Sequence, residues 1–224
     1  MRTQSLRKKV EARRRRPTDA DDDQGTRQKV VQAAIQCILD QGFYRASSNA
    51  IAETAGLSWG VIQYYFGSRE GLMVAVLEEG NRRLKDVLSR AKITGATMTE
   101  RLEEYFQILE GYYGHSDYLA FIQVLLDLSH DPRTSALTVD AMTRGSEDID
   151  VEFVRLTNQL FAGTGIRRPA LRHLPFHALR GLALSEVMLE TLPYDTTTRR
   201  KRVLDQGSLL AQALSLLMED VPRP

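Results

Sequence analysis

The stretch from Asn49 to Leu72, NAIAETAGLSWGVIQYYFGSREGL, constrains this chain more than any other. Ile51, Ala52 and Ala55 recur at helical spacing, Ser47 or Ser48 precedes them as a cap, and Gly56 supplies a residue able to turn left-handed. Leu57 plugs the core, and Ser58 caps a second short helix, Trp59 to Tyr65, that ends in aromatics. Two short helices joined through a glycine turn form a helix-turn-helix, the arrangement that lays its second helix in the DNA major groove.

A helix entering that groove needs little bulk at its start, one solvated face and phosphate anchors at its ends. Ser47 and Ser48 place hydroxyls and backbone amides at a helix N-terminus, where the dipole and free N–H groups suit a phosphate, and Ser58 does the same for the second helix. Gly60 removes side-chain bulk where the backbone presses on the duplex. Trp59, Val61, Gln63, Tyr64 and Tyr65 offer apolar and hydrogen-bonding groups to base edges or backbone, while Ile62 and Phe66 face inward. A hairpin used only for packing explains Ile51, Ala55, Leu57, Ile62 and Phe66 equally well. It does not explain consecutive capping hydroxyls, a Trp-Gly start and a basic residue opening the next helix.

With 224 residues, 42% of them hydrophobic, the chain can bury one generous core or two modest ones. A formal charge of +1 excludes bulk polyelectrolyte binding, so DNA affinity has to come from a local surface. The one cysteine, Cys37, excludes an internal disulfide and a Cys-based zinc ribbon, and reads as a structural thiol. No run of about 18 apolar residues predicts a membrane span. The N-terminus is basic but has no apolar signal-peptide core, so the expected location is cytoplasmic. No cofactor is called for.

Residues 1–24 stand apart by composition: Arg2, Arg7, Lys8, Lys9 and Arg13 to Arg16 precede Asp19 and Asp21 to Asp23. Few apolar residues offset the entropy of ordering, so this arm is read as disordered, either reaching DNA phosphates or a minor groove, or simply solvated. From Thr26 to Gln41 the spacing of Val30, Val31, Ala34, Ile35, Ile38 and Leu39 predicts a helix stopped by Gly42. Ser68 caps a longer helix striped by Leu72, Val76, Leu77, Leu84, Val87 and Leu88. The division expected is a DNA-binding head with its connecting helix over 25–93 and a second helical domain over 94–224.

The second domain reads as all-α, with no alternating strand pattern. Thr97 and Glu100 form a capping box ahead of Leu102, Tyr105, Phe106, Leu109 and Tyr113. Ser116 caps an apolar, buried helix, and Asp131-Pro132 opens another that runs through Met142 and is bent or broken at Gly145-Ser146. Gly163, Gly165 and Pro169 mark a loop before helices over about 170–191 and 197–219.

The segment from about Thr26 to Leu84 resembles the DNA-binding domain of TetR-type transcriptional regulators. That family's pattern runs roughly T-T-x-x-x-I-A-x-x-A-G-V-S-x-G-T-L-Y-x-H-F-x-S-K-E-x-L. Here Ser47, Ile51-Ala52, Ala55-Gly56-Leu57-Ser58, Gly60, Ile62, Phe66, Ser68, Arg69-Glu70 and Leu72 stand in the matching places. The resemblance implies phosphate contacts from Ser47, Ser48 and Arg69, groove contacts from Asn49, Trp59, Gly60 and Val61, and a backbone contact from Tyr65. Gln63 stands where the family has a phosphate-reaching Tyr, and either donates to a phosphate or reads adenine. Trp59 replaces a polar or basic residue, and either covers a thymine methyl or shields the turn.

The resemblance further implies a double-stranded DNA operator, a homodimer through the last two helices and a small-molecule effector. Tyr105, Phe106, Tyr112, Tyr113, Tyr118, Phe121 and Met142 supply the mixture of apolar walls and hydroxyls that pockets use, although each alone is equally a core residue. The dimer stripes are Leu179, Leu182, Ala183 and Val187 on one helix, and Val203, Leu210, Leu214 and Leu217 on the next. His115 and His130 are expected to end helices. His173 and His177, at i, i+4, have no third ligand nearby, and Glu186 and Glu190 read as an exposed face without a nucleophile. The chain is thus expected to be a ligand-responsive repressor on a palindromic operator. The alternatives are a regulator without ligand input and, from another class, a helical metalloenzyme.

Overall fold

The computed structural model describes residues 17–164, 169–191 and 199–219, and all their regular structure is helical. Two compact units divide between Ala75 and Val76, inside one continuous helix.

In the first unit, α1 (Pro17–Gln41) packs on α2 (Ser48–Ala55), which packs on α3 (Trp59–Phe66). The core consists of Val30, Ala34 and Ile38 from α1, Ile51 and Ala55 from α2, Ile62 from α3 and Leu72 from α4 (Arg69–Arg90), all buried. Gly42 (φ 82°) and Gly56 (φ 64°) adopt the left-handed conformation that ends α1 and α2. Cys37 is buried, its Sγ 3.1 Å from the Thr54 hydroxyl.

α1 starts earlier than its apolar stripe indicates. It begins at Pro17, a residue suited to a first helical position, so residues 17–24 of the expected disordered arm are helical. The remaining positions, 1–16, lie outside the described residues.

The second unit is built around α5 (Met98–Tyr113), which touches α6 (Ser116–His130), α7 (Ala136–Leu160), α8 (Pro169–Thr191) and α9 (Arg199–Glu219). Leu102, Tyr105 and Leu109 of α5 bury against Leu156 and Leu160 of α7, Leu179 of α8 and Leu214 of α9. The capping box forms as read: the Thr97 hydroxyl accepts from Glu100 N at 3.2 Å, and the Glu100 carboxylate accepts from Thr97 N at 3.0 Å.

Three local expectations are corrected. His115, not Ser116, caps α6: its Nδ1 accepts from Asp117 N at 3.3 Å, so His115 begins a helix rather than ending one. Asp131 closes a turn by accepting from Arg133 N at 2.9 Å, and the following helix waits for Ser135, whose hydroxyl accepts from Thr138 N at 3.3 Å. Gly145-Ser146 does not interrupt α7, because that glycine answers to a neighbour. A Cβ there would lie 2.5 Å from Asn81 Nδ2 of α4.

α6 is buried as expected on most faces, but Leu126 is exposed. Of the expected dimer stripes, Leu179 and Leu214 are buried in the chain's own core and Leu210 packs against it, whereas Leu217 is open, with Leu209 and Leu216 beside it. The side chains of Val187 and Val203 lie outside those described.

Candidate nucleic-acid interface

Ser47 and Ser58 resolve as N-caps, their hydroxyls accepting from Ala50 N at 3.2 Å and Val61 N at 3.4 Å. Ser48 is therefore the first residue of α2, and the amides of its opening turn point away from the helix body. Only Ile62 of α3 is buried. Gly60, Val61, Gln63 and Tyr64 are exposed, Tyr64 at 72%, and Trp59, Tyr65 and Phe66 are half-buried. Asn49 on α2 is exposed as well. A Cβ on Gly60 would meet nothing nearer than the Ser58 hydroxyl at 3.8 Å, so no crowding within the chain requires a glycine there.

Two of the expected contacts are engaged internally. Arg69 donates to the carbonyls of Phe43 (3.0 Å) and Ala46 (3.3 Å), with its guanidinium 4.5 Å above the Phe43 ring. The residue opening α4 thus fastens the α1–α2 loop. Tyr65 donates its hydroxyl to the Asp23 carboxylate at 2.9 Å, while Arg27 donates to the Tyr65 carbonyl at 3.1 Å and covers the Phe66 ring. The hydrogen bond to Asp23, helped by partial burial and the carboxylate charge, raises the Tyr65 phenol above its ordinary pKa. Sequence reasoning missed Asp23 and Arg27 because their partners lie about forty positions away, and no local pattern signals such a pairing.

Residues 30–76 match the model of bacterial regulatory proteins of the tetR family, a span that holds the capped turn and the open face of α3. That segment carries the tetR-family DNA-binding pattern. It is 34% identical over 82 residues to the HTH-type transcriptional regulator BetI of Rhizobium meliloti, an alignment covering 37% of this chain and 40% of BetI. It is 27% identical over 153 residues to the HTH-type transcriptional regulator PksA of Bacillus subtilis, covering 60% of this chain and 75% of PksA. A solved transcriptional regulator from Rhodococcus sp. Rha1 shares the fold, with a TM-score of 0.65 over 88% of this chain and 99% of that one at 17% identity.

In the second unit, the expected pocket residues fall into two groups. Tyr112, Tyr113 and Tyr118 meet ring to ring, with centroids 4.7–5.5 Å apart. Phe121 stacks on Tyr118, and Phe176 of α8 joins through Tyr113. Tyr105 and Phe106 lie about two turns back along α5 in the same core. Met142 is only half-buried on α7 and stands outside that core cluster.

Beside the tyrosines, a polar chain absent from the sequence reading runs from buried Glu79 on α4 to Arg83 and on to Asp117 on α6. His173 and His177 are exposed, their rings 6.2 Å apart, and no third metal-ligating residue joins them among the described residues. No described helix is long and apolar enough to cross a membrane.

Proposed function

We propose that this chain is a ligand-responsive repressor that binds a palindromic DNA operator as a homodimer. The observation that carries the DNA reading is α3: a short, capped helix with only Ile62 buried and Gly60 free of internal crowding at its start. Ser47, Ser48 and Ser58 would anchor phosphates. Asn49, Trp59, Gly60, Val61, Gln63 and Tyr64 would face the groove, with Tyr65 and Arg69 setting the pose of α3 and its neighbours. Residues 25–93 would form the head and its connecting helix, and 94–224 would bind effector and pair the subunits through α8 and α9.

Pairing has an independent motive, because one small head reads too few base pairs for useful selectivity. Effector would release DNA by binding better to a conformation in which the heads no longer match both half-sites. The aromatic cluster lies against α4 through Phe121, whose ring occupies the space beside Gly80, which supports such coupling. A cytoplasmic location follows from this role.

Selection from a randomised duplex library with the full chain tests the reading. The expected product is an inverted repeat whose half-sites are spaced by about one helical turn or a multiple of it. Enrichment of lone half-sites overturns the dimer, and no enrichment overturns DNA recognition.

A further inference from the structure

Between Pro17 and Ala75 the cations are Arg27, Lys29, Arg45 and Arg69, and the acidic residues of the same span, Asp19, Asp21 to Asp23, Asp40, Glu53 and Glu70, outnumber them. A surface with this balance attracts DNA only where its positive groups are set apart from its negative ones. Arg27 and Arg69 are committed within the unit, to the carbonyls of Phe43, Ala46 and Tyr65 and to the ring faces of Phe43 and Phe66. Lys29 and Arg45 are exposed, and their side chains take part in no hydrogen bond or ion pair among the described residues.

These two cations stand at opposite ends of α2. Lys29 reaches from α1 to the turn that joins α2 to α3, its Nζ 3.9 Å from where a Cβ on Gly56 would stand. The turn does not need the ammonium as a donor. The Ala52 and Glu53 carbonyls at the end of α2 already accept from the backbone N–H groups of Leu57 and Gly56, each at 2.9 Å.

Arg45 belongs to the loop that enters α2. The Gly42 carbonyl accepts from Arg45 N at 3.2 Å and from Ala46 N at 3.1 Å, and the Arg45 carbonyl accepts from Ser47 N at 2.7 Å. Arg69 holds the Phe43 and Ala46 carbonyls, and Ala46 is fully buried. The backbone under Arg45 is therefore fixed while its side chain stays open to solvent, so engaging an outside partner orders little beyond that side chain.

In a helix-turn-helix the second helix enters the major groove and the first crosses the sugar-phosphate backbone. We propose that Lys29 and Arg45 each pair with a DNA phosphate at the two ends of α2 and so fix the pose in which the head docks. The pairing rests on the DNA-binding reading above and adds to it two contacts outside α3 and the capping serines. The eight residues of α2 run about 12 Å, so the two cations meet separate phosphates and their effects add. Phosphate contacts carry no base information, so affinity and salt dependence depend on them while the preferred sequence does not.

The test is anisotropy titration of the full chain on the operator recovered by the selection above, at salt concentrations from about 50 to about 200 mM. Lys29→Gln and Arg45→Gln should each reduce the slope of log affinity against log salt by about 1 per bound copy, hence by about 2 on an inverted repeat, and the double variant by about 4. Each single variant should bind at least about tenfold more weakly at the low-salt end, and that deficit should narrow by about tenfold at the high-salt end. Lys29→Arg and Arg45→Lys should retain the parent slope. Thermal melts of all four should coincide with the parent's, and selection with the double variant should return the same half-site.

A slope within about 0.5 of the parent's for either glutamine variant overturns the pair of contacts. So does a changed half-site, or an equal fall in slope for Arg144→Gln, which removes the same charge from an exposed position on α7. A lowered melt for Lys29→Gln with an unchanged slope would assign Lys29 to the dipole at the end of α2 instead. If the selection recovers no operator, the DNA reading and the two contacts fall together. If both variants bind the operator with the parent slope, the contacts fall and the DNA reading stands.

Discussion

Gly60 and Arg69 illustrate how a shared motif can place residues that answer to different forces. Gly60 has room for a side chain inside the protein, so whatever favours glycine there acts from outside. Gly60→Val should leave thermal unfolding within about 0.5 kcal/mol of the parent, the usual range for a surface change. The same substitution should weaken operator binding by about tenfold or more, because the branched side chain would hold α3 away from the base edges. Anisotropy titration and a melt on the same preparation read both; equal operator affinity would remove α3's start from the interface. Arg69 is the opposite case. Its two carbonyl bonds and its stacking on Phe43 predict that Arg69→Met destabilises the first unit by about 1–3 kcal/mol in urea. An unchanged midpoint combined with lost DNA affinity would instead assign Arg69 to a phosphate.

At the scale of whole elements, the parts legible in the sequence were those set within one turn of helix. The Thr97–Glu100 box, the Ser47 and Ser58 caps and the Gly56 turn each depend on groups three or four positions apart. The parts that were not legible depend on partners far along the chain: Gly145 on Asn81, Tyr65 on Asp23, and Arg83 on Asp117. Glu79 sits on the inner side of α4, and burial alone would raise its pKa. The hydrogen bonds and charges of Arg82 and Arg83 outweigh that burial and hold its carboxyl below the ordinary value of 4.5. The stability it contributes is therefore complete above that ordinary range and is lost as pH falls through the lower folded value. Glu79→Gln should cost about 1–2 kcal/mol at neutral pH and flatten the acid limb of the stability profile, with Arg82 solvent-facing enough to soften the loss. Urea midpoints taken from pH 7 down to pH 3 would reveal the effect, and parallel curves for the two proteins would exclude it.

For the molecule as a whole, the question is which apolar surface remains after each unit has closed its own core. On α9, Leu210 and Leu214 face inward, leaving Leu209, Leu216 and Leu217 more than half exposed. On α8 the exposed positions among the described side chains are His173, His177, Gly181 and Ser185, one helical turn apart in succession. A leucine-bearing face beside a face of small and imidazole side chains suits close helix pairing, and a two-fold axis would let the same surface serve both copies. The open leucines, rather than the stripe of Leu179 and Leu214, then become the residues on which assembly depends. Light scattering should give about twice the 25.3 kDa of one chain. Leu216→Glu combined with Leu217→Glu should yield the single-chain mass while leaving the helical circular dichroism intact, since neither residue belongs to the core. The same pair of substitutions should lower affinity for a two-half-site operator by at least about a hundredfold, because each head would then have to bind without its partner. Its affinity for an isolated half-site should not change. A variant that remains dimeric would move the interface away from α9, and a monomer that keeps full operator affinity would break the link between pairing and recognition.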